Sequence, residues 1–225
     1  MKRLFTALLF ISSLPLFAQQ TYYKMPNGKI IDLATYKTVK ANLSKNGEVN
    51  ETIISTIKRN DSIIITPKIT VLTQKDKNGD YVDPYGEPKK MIGARFPIER
   101  FKDSNGRNYP KTMFTGKPTL INFWFTSCIP CIAEIPILNS IKEESGDKFN
   151  FLAITFENSE AVNAFLKRNN LRYTHILNSK AAIDTLKITA YPTNLILDKN
   201  GVVVEVYGEI SQSQKQLSDR LNKLL

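Results

Sequence analysis

The pattern of hydrophobic and polar positions differs between the two halves of the chain. Before residue 90, β-branched runs at 52–57, 62–66 and 69–73 are separated by polar turns and by Pro67, which predicts short strands. In the second half, strand patterns alternate with stretches whose apolar residues share one helical face. We therefore predict a small β-rich N-terminal region followed by an α/β domain.

The alternation in the second half predicts the elements of that domain. The expected strands are residues 119–125, 149–156, 173–177, 194–197 and 202–207. Four helices are expected. One follows Cys128, one follows Asn158 and one spans residues 181–186, while the last, near the C-terminus, carries Leu217, Leu221 and Leu224 on one face. Asn200-Gly201 is a hairpin turn signal between the last two strands. This order predicts a mixed central sheet with helices on both faces.

The first 18 residues have the layout of a secretory signal peptide. Lys2 and Arg3 precede an apolar run at 4–11, and the segment ends with the small residue Ala18. The run is too short to span a membrane, and an uncleaved N-terminal anchor remains as the alternative. No cysteine follows the segment, so we expect no lipid anchor. We predict a cleaved signal peptide at 1–18, a β-rich region at 19–90, an α/β domain at 91–225, and export to the periplasm or cell envelope.

The chain is basic, with a formal net charge of +10. Its Lys and Arg residues form no clustered stripe, which makes nucleic acid a poor partner for an exported protein. A solvated basic surface, or mild attraction to an anionic membrane or partner, is enough to account for the charge.

The chemistry of the chain centres on Cys128-Ile129-Pro130-Cys131, which contains its only two cysteines. The motif follows a predicted buried strand and begins a helix, whose first N–H groups and dipole favour an anion. The first thiol should therefore ionise more readily than a free one. These features predict a redox-active pair that forms a Cys128–Cys131 disulfide, with no other cofactor.

Three other interpretations of the cysteine pair are weaker. A zinc site needs two further ligands and the chain offers only His175, so no metal is expected. A purely structural disulfide would close too short a loop to add much stability. Two unrelated buried thiols are the plainest alternative, but Pro130 and the strand before the motif argue against them.

The two cysteines are expected to have different roles. Cys128, at the helix start and nearest solvent, should attack substrate disulfides, whereas Cys131 should face inward and resolve the mixed disulfide. Ile129 and Pro130 provide no polar group to stabilise a thiolate, which suits a reductant better than a strong oxidant. We also count Pro130 among the residues expected to contact substrate.

The sequence resembles the thioredoxin-like superfamily and, within it, the exported thiol–disulfide oxidoreductases of the TlpA/ResA type. The matching motifs are Asn122-Phe123-Trp124, Cys128-Ile129-Pro130-Cys131, Glu134, Pro136 and Tyr191-Pro192-Thr193. The resemblance covers about residues 91–225 and says nothing about residues 19–90. It implies a thioredoxin-like fold and the exchange of thiols and disulfides.

The resemblance also assigns roles outside the cysteine motif. It implies a cis bond before Pro192, which would let Tyr191 help to hold an extended substrate peptide. It implies that Glu134 exchanges protons with the buried thiol, for which burial must raise its pKa. The alternative for Glu134 is an exposed residue in a first helical turn.

Two further residues near the motif bear on the same chemistry. Asn122 occupies the strand position where thioredoxin itself has a buried aspartate, and an amide cannot transfer protons, which leaves Glu134 as the candidate. Trp124 is expected to pack around the site and is counted with the substrate-binding residues. His175 lies in a predicted strand far from the motif, and we interpret it as a core or edge residue.

These observations predict a protein-disulfide reductase that acts on cysteine-containing exported proteins. Family analogy suggests apocytochrome c, and hence cytochrome c maturation, or general disulfide repair. A dithiol in an oxidising compartment needs a membrane-bound electron donor to stay reduced. The alternative is that the N-terminal region is an envelope binding module and the redox domain only regulates it.

Overall fold

The computed structural model describes residues 19–59, 61–114, 116–210 and 214–225. The signal peptide predicted at residues 1–18 lies outside these ranges. The chain divides into two compact units, of which the first ends at Tyr81 and the second runs from Val82 to Leu225. The division comes earlier in the chain than the boundary expected after residue 90. Within the described ranges, every helix is too short or too polar to cross a bilayer.

The first unit is built on a four-stranded sheet. Its strands are β1 (Gln20–Lys24), β2 (Ile30–Asp32), β3 (Glu48–Lys58) and β4 (Ser62–Leu72), in the order β2-β1-β4-β3. β1 is parallel to β4, and the other neighbouring strands are antiparallel. Helix α1 (Leu33–Leu43) joins β2 to β3. The strand-rich character predicted for this region is confirmed.

Helix α1 is an element of this strand-rich region that the sequence analysis does not predict. Asp32 caps its start, where the carboxylate accepts a hydrogen bond from the backbone N–H of Thr35 at 2.7 Å. Tyr36 is the one buried side chain of the helix, and its ring stacks on Tyr23 with 3.7 Å between the centroids. A helix that buries a single side chain has no apolar stripe, so the hydrophobic pattern does not reveal it.

Pro67 does not separate two strands, contrary to the prediction from the sequence. β4 continues through it, and Pro67 pairs with Ile53, next to a bulge in β3 between Ile53 and Ser55. Proline has no N–H for a ladder hydrogen bond, and a bulge is a place where the ladder is already interrupted. On the other side, the pairing of β1 with β4 ends at Ile65, so β1 does not require that N–H either.

The second unit contains the mixed sheet that the sequence predicts. Its strands are β5 (Thr119–Phe123), β6 (Asn150–Ile154), β7 (Thr174–Ile176), β8 (Thr193–Leu197) and β9 (Val203–Tyr207), in the order β7-β6-β5-β8-β9. β5, β6 and β7 are parallel, whereas β8 is antiparallel to β5 and β9 is antiparallel to β8. The helices of this unit are α2 (Gly86–Lys89), α3 (Ile129–Ser145), α4 (Ser159–Leu166), α5 (Lys180–Thr185) and α6 (Gln214–Asn222).

The central strand β5 feeds a separate core on each face of the sheet, because successive side chains of a strand point to opposite faces. All of its side chains are buried. Leu120 joins the core under α3 and α6, whereas Ile121 and Phe123 join a second core that includes Ile183 of α5. Asn122 lies on the α3 side and contacts that helix. The strand therefore presents one polar amide to the helix that carries the cysteines.

Candidate active site

The two cysteines lie where β5 passes into α3. Cys128 is the N-cap residue of α3, and its backbone N–H donates to the carbonyl of Phe125 at 3.1 Å. The Cys128 sulfur accepts a hydrogen bond from the N–H of Cys131 at 3.3 Å and forms a disulfide with the Cys131 sulfur. The first sulfur of the motif therefore sits at the positive end of the helix dipole, where a thiolate is stabilised.

Neither cysteine is open to solvent in the disulfide form. Cys128 is 4% exposed and Cys131 is 2% exposed. The prediction that Cys128 is the cysteine near solvent is therefore corrected: both are buried in the disulfide form. Both belong to the core under α3, while Ile129 between them is 80% exposed and Pro130 is partly exposed. The assignment of Cys128 as the attacking thiol depends on its place at the helix N-terminus.

Glu134 is the buried acid of the site. It lies three residues after Cys131 on α3, hence on the same helix face, and it is 2% exposed. This excludes the alternative of an exposed glutamate in the first helical turn. A carboxylate at this depth needs hydrogen-bond donors to offset the loss of water.

Three N–H groups reach the Glu134 carboxylate. Asn122 of β5 donates to Oε1 at 2.7 Å, and the backbone N–H of Ile210 donates to Oε2 at 3.0 Å. Asn194 of β8 donates to Oε1 at 3.3 Å. Of these donors only Asn122 was predicted from the sequence; a buried amide beside the apolar run at 195–197 was a usable signal for Asn194.

Burial dominates the titration of Glu134. It raises the pKa of the carboxyl from 4.5 to about 7, while the hydrogen bonds from Ile210, Asn194 and Asn122 oppose the rise. The nearby Glu209 carboxylate raises it slightly further. The group therefore changes its protonation near neutral pH, which is the property that a proton-exchanging residue needs.

Trp124 packs inside the site rather than at its surface, which corrects its assignment to substrate binding. It is 1% exposed, and its ring lies 5.1 Å from Phe165 and 5.7 Å from His175 between centroids. An indole covered in this way cannot touch a peptide docked outside the disulfide. His175 belongs to β7 at the edge of the sheet, and its Nε2 lies 3.1 Å from the carbonyl oxygen of Leu171, as expected for an edge residue.

Tyr191 and Pro192 lie at the same end of the sheet as Cys128. The peptide bond between them is cis, which confirms the prediction. β8 begins one residue later and is antiparallel to β5, with Thr193 opposite Phe123, so Pro192 comes beside the carboxyl end of β5. The sheet order thus brings together two motifs that are far apart in the sequence.

An aromatic trio, formed by Phe125, Phe156 and Tyr191, lies at this end of the sheet. Its centroids are 5.3 Å apart for Phe125 and Tyr191, 5.7 Å for Phe125 and Phe156, and 6.0 Å for Phe156 and Tyr191. Phe156 is 37% exposed. Phe125 and Phe156 are not among the site residues predicted from the sequence, although each follows the end of a buried parallel strand by two positions.

Glu157, which was also not predicted from the sequence, anchors the loop that precedes Cys128. Its carboxylate accepts hydrogen bonds from the backbone N–H and the hydroxyl of Thr126, both at 2.7 Å.

A groove of about 410 Å³ opens beside this loop, lined by Thr126, Ile132, Ala161, Ala164, Phe165, Arg168 and Asn169. Within the described ranges, no three His, Cys, Asp or Glu side chains cluster as metal ligands would.

Known proteins similar to this chain share the half that contains the disulfide. The family described as Redoxin matches residues 91–224. The thiol-disulfide oxidoreductase ResA of Bacillus thuringiensis subsp. konkukian is 30% identical over 142 residues, which cover 61% of this chain and 81% of that protein. The thiol:disulfide interchange protein DsbE of Pseudomonas fluorescens biotype C is 28% identical over 131 residues, covering 57% of this chain and 73% of that protein.

A solved structure supports the same fold. The thioredoxin domain of a thiol-disulfide oxidoreductase from Bacteroides vulgatus matches with a TM-score of 0.51 at 20% sequence identity, covering 58% of this chain and 98% of that domain. At this level of identity the likeness shows the thioredoxin-like arrangement of the second unit, which confirms the predicted fold class.

Glu134→Gln should remove a pH dependence of the folding stability. Because the pKa of Glu134 is about 7 in the folded protein and near 4.5 otherwise, the folded chain holds a proton that the unfolded chain releases between these values. The free energy of unfolding should therefore fall as the pH rises through this window, by about 3 kcal/mol in total. Urea unfolding of the oxidised protein across that range measures the slope.

The control for this measurement is Glu160→Gln, which changes an exposed glutamate in the first turn of α4. It should keep the slope of the unaltered protein, whereas Glu134→Gln should flatten it. If Glu134→Gln and the unaltered protein have the same slope, Glu134 is ionised throughout the window and the assigned pKa is wrong.

Proposed function

Because the chain belongs to the redoxin family and is a thiol–disulfide oxidoreductase of the thioredoxin-like, TlpA/ResA type, we propose that it reduces disulfides in other exported proteins through Cys128 and Cys131. The observation that carries the proposal is a disulfide at a helix N-terminus with a buried acid that titrates near neutral pH one turn behind it. The redox-active group is the cysteine pair itself.

The proposed reaction transfers two electrons from the cysteine pair to a substrate disulfide. In the reduced protein, the Cys128 thiolate attacks one sulfur of the substrate; the substrate S–S bond breaks, a mixed disulfide forms, and the other substrate sulfur leaves and takes up a proton. Cys131 then loses its proton and attacks the Cys128 sulfur. This step forms the Cys128–Cys131 disulfide and releases the second substrate sulfur, which also becomes a thiol.

Glu134 is the proposed proton acceptor for Cys131 in the second step. The two residues lie one helical turn apart on the same face. A carboxyl whose pKa is about 7 is partly ionised at neutral pH, so it can take the thiol proton and later return it. When the disulfide is reduced again, the same group can supply the proton that Cys131 needs.

The direction of the reaction follows from the motif and from the expected compartment. Ile129 and Pro130 offer a thiolate no polar partner, which favours a reductant. The predicted signal peptide at residues 1–18 supports export to the periplasm or cell envelope. An oxidising compartment does not regenerate the dithiol, so the proposal includes a membrane-bound dithiol donor that reduces Cys128–Cys131 after each turnover.

The aromatic trio is the proposed contact surface for the substrate. Phe125 and Phe156 lie against Tyr191 at the end of the sheet where Cys128 lies. Ile129 adds an apolar side chain at the rim of the cysteine motif, and Pro130 lies next to it. These side chains would bind the apolar residues that flank a cysteine in an unfolded protein.

Cys131→Ala should trap substrates on Cys128. Without Cys131 the mixed disulfide has no internal exit, so exported proteins should accumulate on Cys128 until a reductant releases them. The measurement is affinity capture of the full-length variant from its own host under non-reducing conditions, followed by mass spectrometry of the proteins that a reductant elutes. Cys128→Ala, which lacks the attacking thiol, is the matched control and should trap nothing.

The captured proteins also distinguish the possible substrate classes. Proteins with a haem-attachment Cys-x-x-Cys-His motif would identify apocytochrome c as the substrate, and a varied set would identify general disulfide repair. Equal capture by both variants, or no capture by Cys131→Ala in a folded state, would contradict the proposed reductase.

Phe156→Ser should weaken substrate binding while leaving the cysteine chemistry in place. Removing one partly exposed ring of the trio should raise KM for a cysteine-containing peptide about threefold to tenfold, with a smaller change in kcat. Steady-state reduction of a peptide disulfide with an aromatic residue beside the cysteine measures both constants. Ile92→Ser removes an apolar side chain that is 49% exposed outside the trio and should leave KM unchanged; equal effects of the two changes would dismiss the trio as a contact surface.

A further inference from the structure

A pair of buried amides faces Glu134 from the sheet. Asn122 lies on β5 and Asn194 on β8, directly opposite each other in the antiparallel register. They are 1% and 0% exposed. Neither amide can take part in the thiol–disulfide steps, because an amide does not transfer protons and neither residue touches a sulfur in any hydrogen bond described for the site. Two polar groups at this depth in an apolar core call for a physical reason.

Both amides have their N–H groups committed. Asn122 Nδ2 donates to Glu134 Oε1 at 2.7 Å and to Asn194 Oδ1 at 2.8 Å. Asn194 Nδ2 donates to the carbonyl of Gly208 at 3.0 Å, to Glu134 Oε1 at 3.3 Å and to Oε2 at 3.5 Å. The backbone N–H of Ile210 completes the set at 3.0 Å from Oε2. We call Asn122, Asn194 and the Ile210 N–H the amide clamp.

The clamp favours one protonation state of the carboxyl. Each of its members donates, so all the bonds to Glu134 are best satisfied when the carboxyl is an acceptor only, as it is when ionised. A protonated Glu134 would present its own O–H toward an N–H donor and lose at least one of these bonds. Burial acts in the opposite direction, because it disfavours the charge. Burial raises the pKa of Glu134 and the donated hydrogen bonds lower it. The balance of the two decides how readily Glu134 holds a proton.

We propose that Asn194, together with Asn122, is a positioning residue that holds the Glu134 carboxylate against the sheet and keeps its ionised form accessible for the proton transfer to and from Cys131. The proposal rests on the proposed function for its use in catalysis, but the effect on Glu134 itself does not depend on which substrate is reduced. Without the clamp, burial would act unopposed and Glu134 would stay protonated at neutral pH.

Asn194 also connects the carboxylate to the loop after β9. It bonds the carbonyl of Gly208, and the N–H of Ile210 in the same loop bonds Glu134. Tyr85 covers Gly208 so closely that a Cβ on that glycine would lie 2.4 Å from the tyrosine hydroxyl. Tyr85 therefore packs directly on the loop that carries the Ile210 donor.

Other titratable groups face Glu134 and must be separated from the clamp in any pH experiment. Glu209 in the loop raises the pKa of Glu134 by charge repulsion. Burial, and then the Glu134 charge, raise the pKa values of Tyr85 and Tyr173, both of which titrate above the neutral range. Cys131 lies one turn away and does not titrate in the disulfide form. The oxidised protein therefore isolates the effect of the clamp on Glu134.

The test is a carbon-13 NMR titration of the Glu134 carboxyl in the oxidised full-length protein. Asn194→Ala should raise the midpoint by about one pH unit, because it removes a donor to the ionised form. Asn194→Asp keeps the shape of the side chain but replaces the donor with a second carboxyl, so it should raise the midpoint further. If Asn194 only filled space, the alanine variant would keep the unaltered midpoint, whereas the aspartate variant moves it in either case by charge repulsion.

The matched control is Asn150→Ala, which removes a sheet amide that bonds the Thr119 hydroxyl and not Glu134. It should leave the midpoint unchanged. If an Asn194 variant does not fold, the unaltered protein still tests the clamp: the side-chain N–H signals of Asn122 and Asn194 should shift with the same midpoint as Glu134. An unchanged midpoint in the folded Asn194 variants, or amide signals that ignore the Glu134 titration, would overturn the proposal.

The activity profile then separates the clamp from the proposed function. In a reductase that uses Glu134, Asn194→Ala should move the pH–rate profile for a peptide disulfide by the same amount as the NMR midpoint, while Asn150→Ala should not. A moved NMR midpoint with no reductase activity in the unaltered protein would keep the clamp and reject the reductase. A moved midpoint with an unmoved pH–rate profile would reject the use of the clamp in catalysis.

Discussion

The burial of one carboxylate beside the disulfide is the constraint on which the rest of the site depends. A charge removed from water costs several kcal/mol unless hydrogen bonds replace its hydration, so donors must come to Glu134 from whatever surrounds it. They come from β5, from β8 and from the loop after β9. Helix α3 therefore packs on the sheet where these donors meet Glu134, the third residue after Cys131. The same packing places Cys128 at the end of β5.

Because β8 runs antiparallel to β5, the surface residues of the site lie together at one end of the sheet. Phe125 and Phe156 follow the ends of two parallel strands, while Tyr191 precedes the start of an antiparallel one. Although β8 runs in the opposite direction to the two parallel strands, all three rings lie at the same end of the sheet and pack together. Had β8 been parallel to β5, Tyr191 and the cis bond would lie at the opposite end, far from the disulfide.

The site has a deep part and a shallow part with different physical requirements. In the deep part, the sulfurs and Glu134 are shielded from water, which strengthens the electrostatic effects that govern proton transfer. In the shallow part, Ile129 and Phe156 remain exposed at 80% and 37%, although burying them would stabilise the fold. Exposed apolar groups beside a reactive disulfide are consistent with a surface that binds another chain.

The sequence by itself determined the fold class of the second unit and the position of the disulfide, because strand patterns, helix patterns and a Cys-x-x-Cys turn are local signals. Its resemblance to a known family added Glu134 and the cis bond before Pro192. Only the tertiary structure decided that Glu134 is buried and clamped, since Asn122 and Asn194 are 72 positions apart and Ile210 and Glu134 are 76 apart. It likewise showed that Trp124, which was expected to pack around the site, is buried and not part of the exposed substrate surface. Burial depends on what covers a residue. The strand register and the loop packing that cover these residues bring together parts of the chain that are far apart, so no periodic pattern in the sequence predicts them.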